Sequence, residues 1–228
     1  SLVAQSSLRP VRWLHEHGLL DHRLVAAHCV HVNAEEIQLL ARHGVGVAHN
    51  PTSNLKLASG IAPIAQMLQA GVRLGIGTDG CASNNDLDMF EEMRLAALLP
   101  KVVTGSPVAV PAEEALAMAT IQGARAIGLD HLIGSLEVGK RADVVVVRDD
   151  GIHSQPTYAA RPSNIYSRLV YTSRASDVRH VYVNGRNLVR DGALLSIDLD
   201  QTLARAQDLA NGISHFVVAR EQSVLEKL

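Results

Sequence analysis

The chain has 228 residues, 47% hydrophobic and 19% charged, the range of a soluble globular protein that buries a core. Lys plus Arg at 21 against Asp plus Glu at 23 leaves a formal charge of -2, so no basic field is present to hold nucleic acid or anionic lipid. Two cysteines, Cys29 and Cys81, cannot build a disulfide framework, and no apolar run reaches the roughly 20 residues of a membrane span, so a cytoplasmic protein is expected.

The chain opens on Ser1 with no charged or apolar leader behind it; a piece of a longer protein is expected. From Arg9 to Leu99, short apolar runs alternate with helical patterns, the signature of βαβ units and a parallel sheet. Leu24–Cys29, Val45–Asn50 and Arg73–Asp79 read as strands, each ending in polar residues capable of chemistry. Between the first two, Asn33 with Glu36 three residues later forms a capping box and Gly44 closes the helix. Ala62–Ala70, with Pro63 in its first turn and Gly71 after its end, predicts the next helix. Leu87–Leu99 and Ala112–Ile127 follow, the second entered by Pro111 and closed by Gly128.

The pattern changes near Gly134. Val144–Val147, Val178–Val183 and Arg186–Arg190 are β-rich, and Asn184-Gly185 between the last two predicts a hairpin. Asp149–Ser163 reads as a long loop and Asp200–Leu228 as a terminal helix. The expected organisation is an α/β part over 1–133, a β segment over 134–199 and a helix over 200–228.

His28 and Asp79 lead the candidate residues because each closes an apolar strand, where parallel α/β sheets place their active sites. Position alone leaves open that His28 is a hydrogen-bonded core histidine and Asp79 a helix cap. Period-two alternation puts Gly75, Gly77 and Asp79 on one face, which predicts space in front of the carboxylate. His49, before Asn50-Pro51, reads as a turn anchor before it reads as a ligand. His31 reads as a loop residue, and His15, His17, His22 and His43 as solvated or capping. Cys29 and Cys81 lack C-x-x-C spacing and read as packing residues. No G-x-S-x-G elbow, P-loop or G-x-G-x-x-G after a strand occurs.

The runs His49-Asn50-Pro51-Thr52-Ser53-Asn54-Leu55-Lys56-Leu57-Ala58-Ser59-Gly60 and Gly77-Thr78-Asp79-Gly80-Cys81-Ala82-Ser83-Asn84-Asn85-Asp86-Leu87-Asp88-Met89-Phe90, with His28 upstream, resemble the amidohydrolase superfamily. The wording is most similar to its 5'-methylthioadenosine/S-adenosylhomocysteine deaminase branch, and Gly134–Asp143 resembles the handover from barrel to β-sandwich there. The resemblance implies an α/β fold: the carboxyl-terminal part of a (β/α)8 barrel with one catalytic zinc, plus part of a small β-sandwich. It implies that Asp79 ligates zinc and accepts a proton from the attacking water, that His28 hydrogen-bonds that water and shuttles protons, and that His49 and Ser83 line the substrate pocket. The family's His-x-His and His-x-x-Glu have no counterpart, so the expected partner is an amino-terminal half carrying the other ligands. The substrate expected is a small purine nucleoside, with guanine, oxidised guanine or triazine hydrolysis and a non-catalytic fragment as alternatives. The family tends to dimers and tetramers, so a homo-oligomer is expected, with neither nucleic acid nor membrane as partner.

Overall fold

The structure is a computed structural model that describes residues 7–158 and 164–225, with side chains undescribed at 219 and 221–225. The ends of the predicted long loop (159–163) and terminal helix (226–228) therefore lie outside the described residues.

Helix α1 (Pro10–Glu16) precedes a parallel sheet of β1 (Val25–Ala27), β2 (Gly46–His49) and β3 (Arg73–Ile76), in the order β1-β2-β3. In register, Ala26 pairs with Val47 and Val47 with Leu74. The crossovers run through α2 (Ala34–Arg42) and, after the short α3 (Pro51–Lys56), through α4 (Ile64–Gln69). Right-handed crossovers place α2 and α4 on the same side of the sheet. The capping box at α2 is present: Glu36 N donates to Asn33 Oδ1 at 2.9 Å and Asn33 N to Glu36 Oε2 at 3.0 Å. Arg9 from the chain's start adds an ion pair to the same carboxylate at 2.8 Å.

Leu40, Val45, Val47, Ile64, Met67 and Leu74 are fully buried and form the centre of the core. Each such side chain contributes about 1.5–3 kcal/mol on leaving water. After β3 come α5 (Cys81–Asn84), α6 (Met89–Thr104), α7 (Ala112–Met118) and α8 (Ile121–Ala126). Helix α6 runs five residues past the predicted end, through Pro100, and stops at Gly105 in the left-handed conformation.

The single helix predicted over Ala112–Ile127 is two helices. The break at Ala119–Thr120 lets α8 lie against the sheet, where Gly75 and Gly123 face each other across a gap with no room for a side chain: a Cβ built on Gly75 would stand 3.0 Å from Gly123 Cα. One built on Gly46 would stand 1.9 Å from Ala126 O. These small residues set how closely α8 approaches β2 and β3.

The second sheet is antiparallel, in the order β4 (Val144–Val147), β5 (Val178–Val183), β6 (Arg186–Arg190), β7 (Ala193–Leu194). The predicted hairpin turns through Asn184 and Gly185 at φ 51 and 77, the paired positive values of a type I′ turn. Helix α9 (Ile165–Tyr171) sits between β4 and β5 in sequence and buries Val170 in the core that the first sheet organises. Helix α10 (Leu199–Leu225) closes the described chain with its described side chains exposed, Leu209, Ile213 and Phe216 among them. Among the described residues no helix is long and apolar enough to cross a membrane.

Candidate active site

The carboxyl ends of the three parallel strands bring four polar segments together. The strands stop earlier than their apolar runs suggest. His28 follows β1 at φ 65 and Asp79 follows β3 at φ 63, both left-handed, with Cys29 at φ 48 beside the histidine. His28 N still donates to Ala48 O at 2.9 Å, and Gly77 N to His49 O at 2.9 Å, so the parallel ladder reaches the edge of the site.

The alternation read from Gly75 to Asp79 fails for this reason, and so does the space predicted in front of the carboxylate. Gly75's face is filled by α8, and a Cβ on Gly77 would stand 2.6 Å from Asn50 Oδ1. The glycines make room for the protein's own backbone and for Asn50.

Asp79 is held by three donors. Ser53 Oγ on α3 and Ser83 Oγ on α5 both donate to Oδ2, at 2.6 and 2.7 Å, and Gly80 N donates to Oδ1 at 2.8 Å. The two serines, then the Gly80 amide, hold its pKa down to about 2, with His28 a smaller contributor in the same direction. The group is ionised at neutral pH. Oδ2 spends its lone pairs on the serines, and Oδ1 keeps one for another partner.

His28 Nε2 stands 3.9 Å from Asp79 Oδ2, with the imidazole two-fifths exposed. Its Nδ1 lies 2.8 Å from Asn54 Oδ1 and 3.5 Å from Asn50 Nδ2. The shorter contact is to an acceptor, which assigns the proton to Nδ1 and leaves the Nε2 lone pair facing the carboxylate side. A histidine hydrogen-bonded at one nitrogen, with no hydrogen bond at the other among the described residues, is arranged to take up a proton or meet a metal. The core-histidine alternative does not describe it.

His49, at the end of β2, is 1% exposed, and neither ring nitrogen has a partner among the described residues. Burial, and secondarily His28, pushes its pKa down to about 4, so the ring is neutral. Ser83, expected from the resemblance to line the pocket, is found as a donor to the Asp79 carboxylate. His31 is an exposed loop residue, His17 closes α1 with Nδ1 2.8 Å from Trp13 O, and His15 packs edge-on to His43. Cys29 packs against the core, and burial raises its thiol to about 11; Cys81 is exposed and free.

A carboxylate clamped by two serines and a backbone amide, across from an imidazole fixed at Nδ1, sits at strand ends in a chain that matches the amidohydrolase family over residues 5–188. The chain belongs to the amidohydrolase family. It is 51% identical over 209 residues to the 5-methylthioadenosine/S-adenosylhomocysteine deaminase of Desulforudis audaxviator (strain MP104C), covering 92% of this chain and 47% of that protein. A crystal structure of an adenosine deaminase from Xanthomonas campestris with bound zinc superposes with a TM-score of 0.88 at 42% identity, covering 93% of this chain and 47% of that one. The atrazine chlorohydrolase of Arthrobacter aurescens TC1, solved with zinc, gives 0.80 at 32% identity over 91% and 45%. The chain spans about half the length of the curated relatives it matches. The α/β fold expected from the resemblance, barrel strands followed by a β unit, is the fold of these amidohydrolases.

Among the described residues no group of three or more His, Cys, Asp or Glu side chains converges as a metal cage. Asp79 and His28 are donors of the kinds zinc accepts, but a zinc site takes roughly three or four protein groups. The donor chemistry fits zinc, and the number falls short of a complete site. Ser53, Asn50 and Asn54 are the site residues that sequence reading left unassigned. All three lie in the His49–Gly60 run that carried the resemblance, so the run marked the segment without assigning each residue its partner.

Proposed function

We propose that this chain is the carboxyl-terminal part of a zinc-dependent hydrolase that deaminates adenine nucleoside thioethers, 5'-methylthioadenosine and S-adenosylhomocysteine. The observation that carries the reading is the clamped, ionised Asp79 facing the free Nε2 of a His28 fixed by Asn54, in a chain 51% identical to a deaminase of that name. Asp79 would hold the zinc, through the oxygen that keeps a lone pair, together with ligands from an amino-terminal half that the relatives' length leaves room for. Zinc bound there would act as a Lewis acid and lower the pKa of water at the site toward neutrality.

Water adds to the purine carbon that bears the amino group, ammonia leaves, and the adenine ring becomes a hypoxanthine ring. Asp79 accepts the proton from the attacking water. It is a weak base, so the transfer depends on that water's raised acidity. His28 Nε2 accepts a hydrogen bond from the same water and moves the proton onward, its Nδ1–H held by Asn54. Ser83 borders the pocket through its bond to Asp79, whereas His49, expected there too, is buried and offers a substrate no surface. The barrel part would span 1–133, the sandwich segment 134–199 and the terminal helix 200–228, in a cytoplasmic homo-oligomer.

The test is ammonia release by the zinc-loaded longer protein from 5'-methylthioadenosine, S-adenosylhomocysteine, adenosine and guanine, with chloride release from atrazine alongside. Either thioether nucleoside is expected to give the highest kcat/KM. Faster turnover of guanine or atrazine overturns the substrate assignment, and no turnover of any of them overturns the deaminase reading.

A further inference from the structure

Glu92 is 1% exposed, and among the described residues no cation pairs with its carboxylate. Its carboxylate is shared between two donors from different elements. Thr52 N, in the first turn of α3, donates to Oε2 at 3.1 Å, and Asn84 Nδ2, at the end of α5, donates to Oε1 at 2.6 Å. Each donor adjoins one of the two serines on Asp79: Thr52 precedes Ser53, and Asn84 follows Ser83. Asn84 continues the chain of bonds, giving Nδ2 to Thr78 O at 2.9 Å and taking Leu87 N on Oδ1 at 2.9 Å. Thr78 is the residue before Asp79.

One buried carboxylate thus ties together the three segments that meet at Asp79. Helix α6, which carries Glu92, is itself fixed at its start: Asp88 Oδ1 accepts from Phe90 N at 2.8 Å and Oδ2 from Ala175 N at 3.1 Å. At the exposed end of α3, Lys56 Nζ makes a second tie to α5 through Ala82 O and Asn85 Oδ1.

Packing does not explain an ionisable group here, since burying it unpaired with a cation is costly. The chemistry does: two converging donors need two acceptor oxygens, and only a carboxylate presents two with no donor of its own. We infer that Glu92 is a positioning residue that, through Thr52 and Asn84, sets the separation of Ser53 and Ser83 and so the orientation of Asp79. The activity arm of the test rests on the deaminase reading; the structural and metal arms do not.

The experiment is Glu92→Gln in the longer protein, alone and on a Ser53→Ala/Ser83→Ala background. Glutamine keeps the shape but turns an NH2 toward one of the two donors. Zinc affinity, measured against a chelator, is expected to fall about tenfold or more, the scale of lost outer-shell support, and kcat with it, while KM stays within about threefold. On the serine background the same change is expected to cost about threefold or less, because the route it acts through is already gone. A crystal structure of the variant is expected to show Asp79 turned away from at least one serine.

Wild-type zinc affinity with Asp79's contacts unchanged overturns the inference, as do losses that multiply in full on the serine background. Should the wild-type protein deaminate nothing, the functional reading falls and zinc affinity with Asp79's contacts decides the role of Glu92. Should it also take no zinc, those contacts alone decide. If Glu92→Gln does not fold, Asn84→Ala is put through the same cycle with Ser83→Ala and must show the same non-additivity, or the inference fails.

Discussion

His49→Leu separates the two things that His49 does. The imidazole is buried, both ring nitrogens lack partners among the described residues, and burial with secondary repulsion from His28 brings its pKa from 6.5 to about 4. In the unfolded chain the same ring takes its proton near pH 6.5. Between those values the unfolded state binds more protons than the folded one, so the stability tied to neutral His49 is fully present above pH 6.5. It is lost as the pH falls toward 4, and the dependence is flat below that. A fall from 6.5 to about 4 corresponds to about 3 kcal/mol, with a slope of at most about 1.4 kcal/mol per pH unit. Leucine has similar bulk, no proton to take up, and no polar atoms to strand at about 1–3 kcal/mol each. Urea unfolding followed by circular dichroism from pH 7 to pH 4 is expected to show His49→Leu at least as stable as the parent at pH 7 and about 3 kcal/mol better relative to it at pH 4. Parallel stability curves would mean that the ring is solvated or hydrogen-bonded, and would rule out a buried neutral imidazole as the source of the pH dependence. Deaminase activity in the longer protein is expected to fall in the same variant, since His49 ends β2 beside Asn50 and His28 lies close enough to lower its pKa.

Three further outcomes are expected. Asp79→Asn in the longer protein abolishes ammonia release and weakens zinc while the circular dichroism spectrum is unchanged; turnover near wild type with zinc bound defeats the assignment. His28→Asn lowers kcat by about a hundredfold, the scale of a lost acid–base group, with zinc retained, and loss of metal would instead make His28 a ligand. Gly46→Ala drives a methyl group to 1.9 Å from Ala126 O, a backbone atom. It is expected to cost about 1–3 kcal/mol as α8 is pushed off the sheet, and an unchanged Tm would show that α8 does not press on Gly46.

Much of the scaffold is legible because local chemistry dictates it. The three apolar runs become the three parallel strands, Asn33 and Glu36 form their box, and Asn184-Gly185 turns the hairpin. What escapes is set by contacts distant in sequence. Nothing local separates α7 from α8, because the apolar period runs on through Thr120; the break comes from Gly123 meeting Gly75. Helices α3 and α5 are too short to show a period. In the site, His28 and Asp79 stand out by their place at strand ends, and Ser83 by resemblance. Ser53, Asn54 and Glu92 do not, because their partners lie 26, 26, and 40 and 8 residues away in sequence.

The backbone at the strand ends decides where the candidate side chains point. His28, Cys29 and Asp79 all have positive φ, a conformation that costs roughly 1–3 kcal/mol for a residue with a side chain. Had β3 continued in regular alternation, Asp79 would share the face of Gly75 and Gly77, which Gly123 and Asn50 fill. The left-handed turn breaks the alternation and aims the carboxylate at Ser53, Ser83 and His28. Glycine at either position would relax the backbone and remove the chemistry, whereas alanine would remove the chemistry and add strain, so its effect on activity would mix the two. Asparagine is among the few residues that visit this region at low cost. Asp79→Asn and His28→Asn therefore leave the turn in place, and what they lose is charge at one position and a proton carrier at the other.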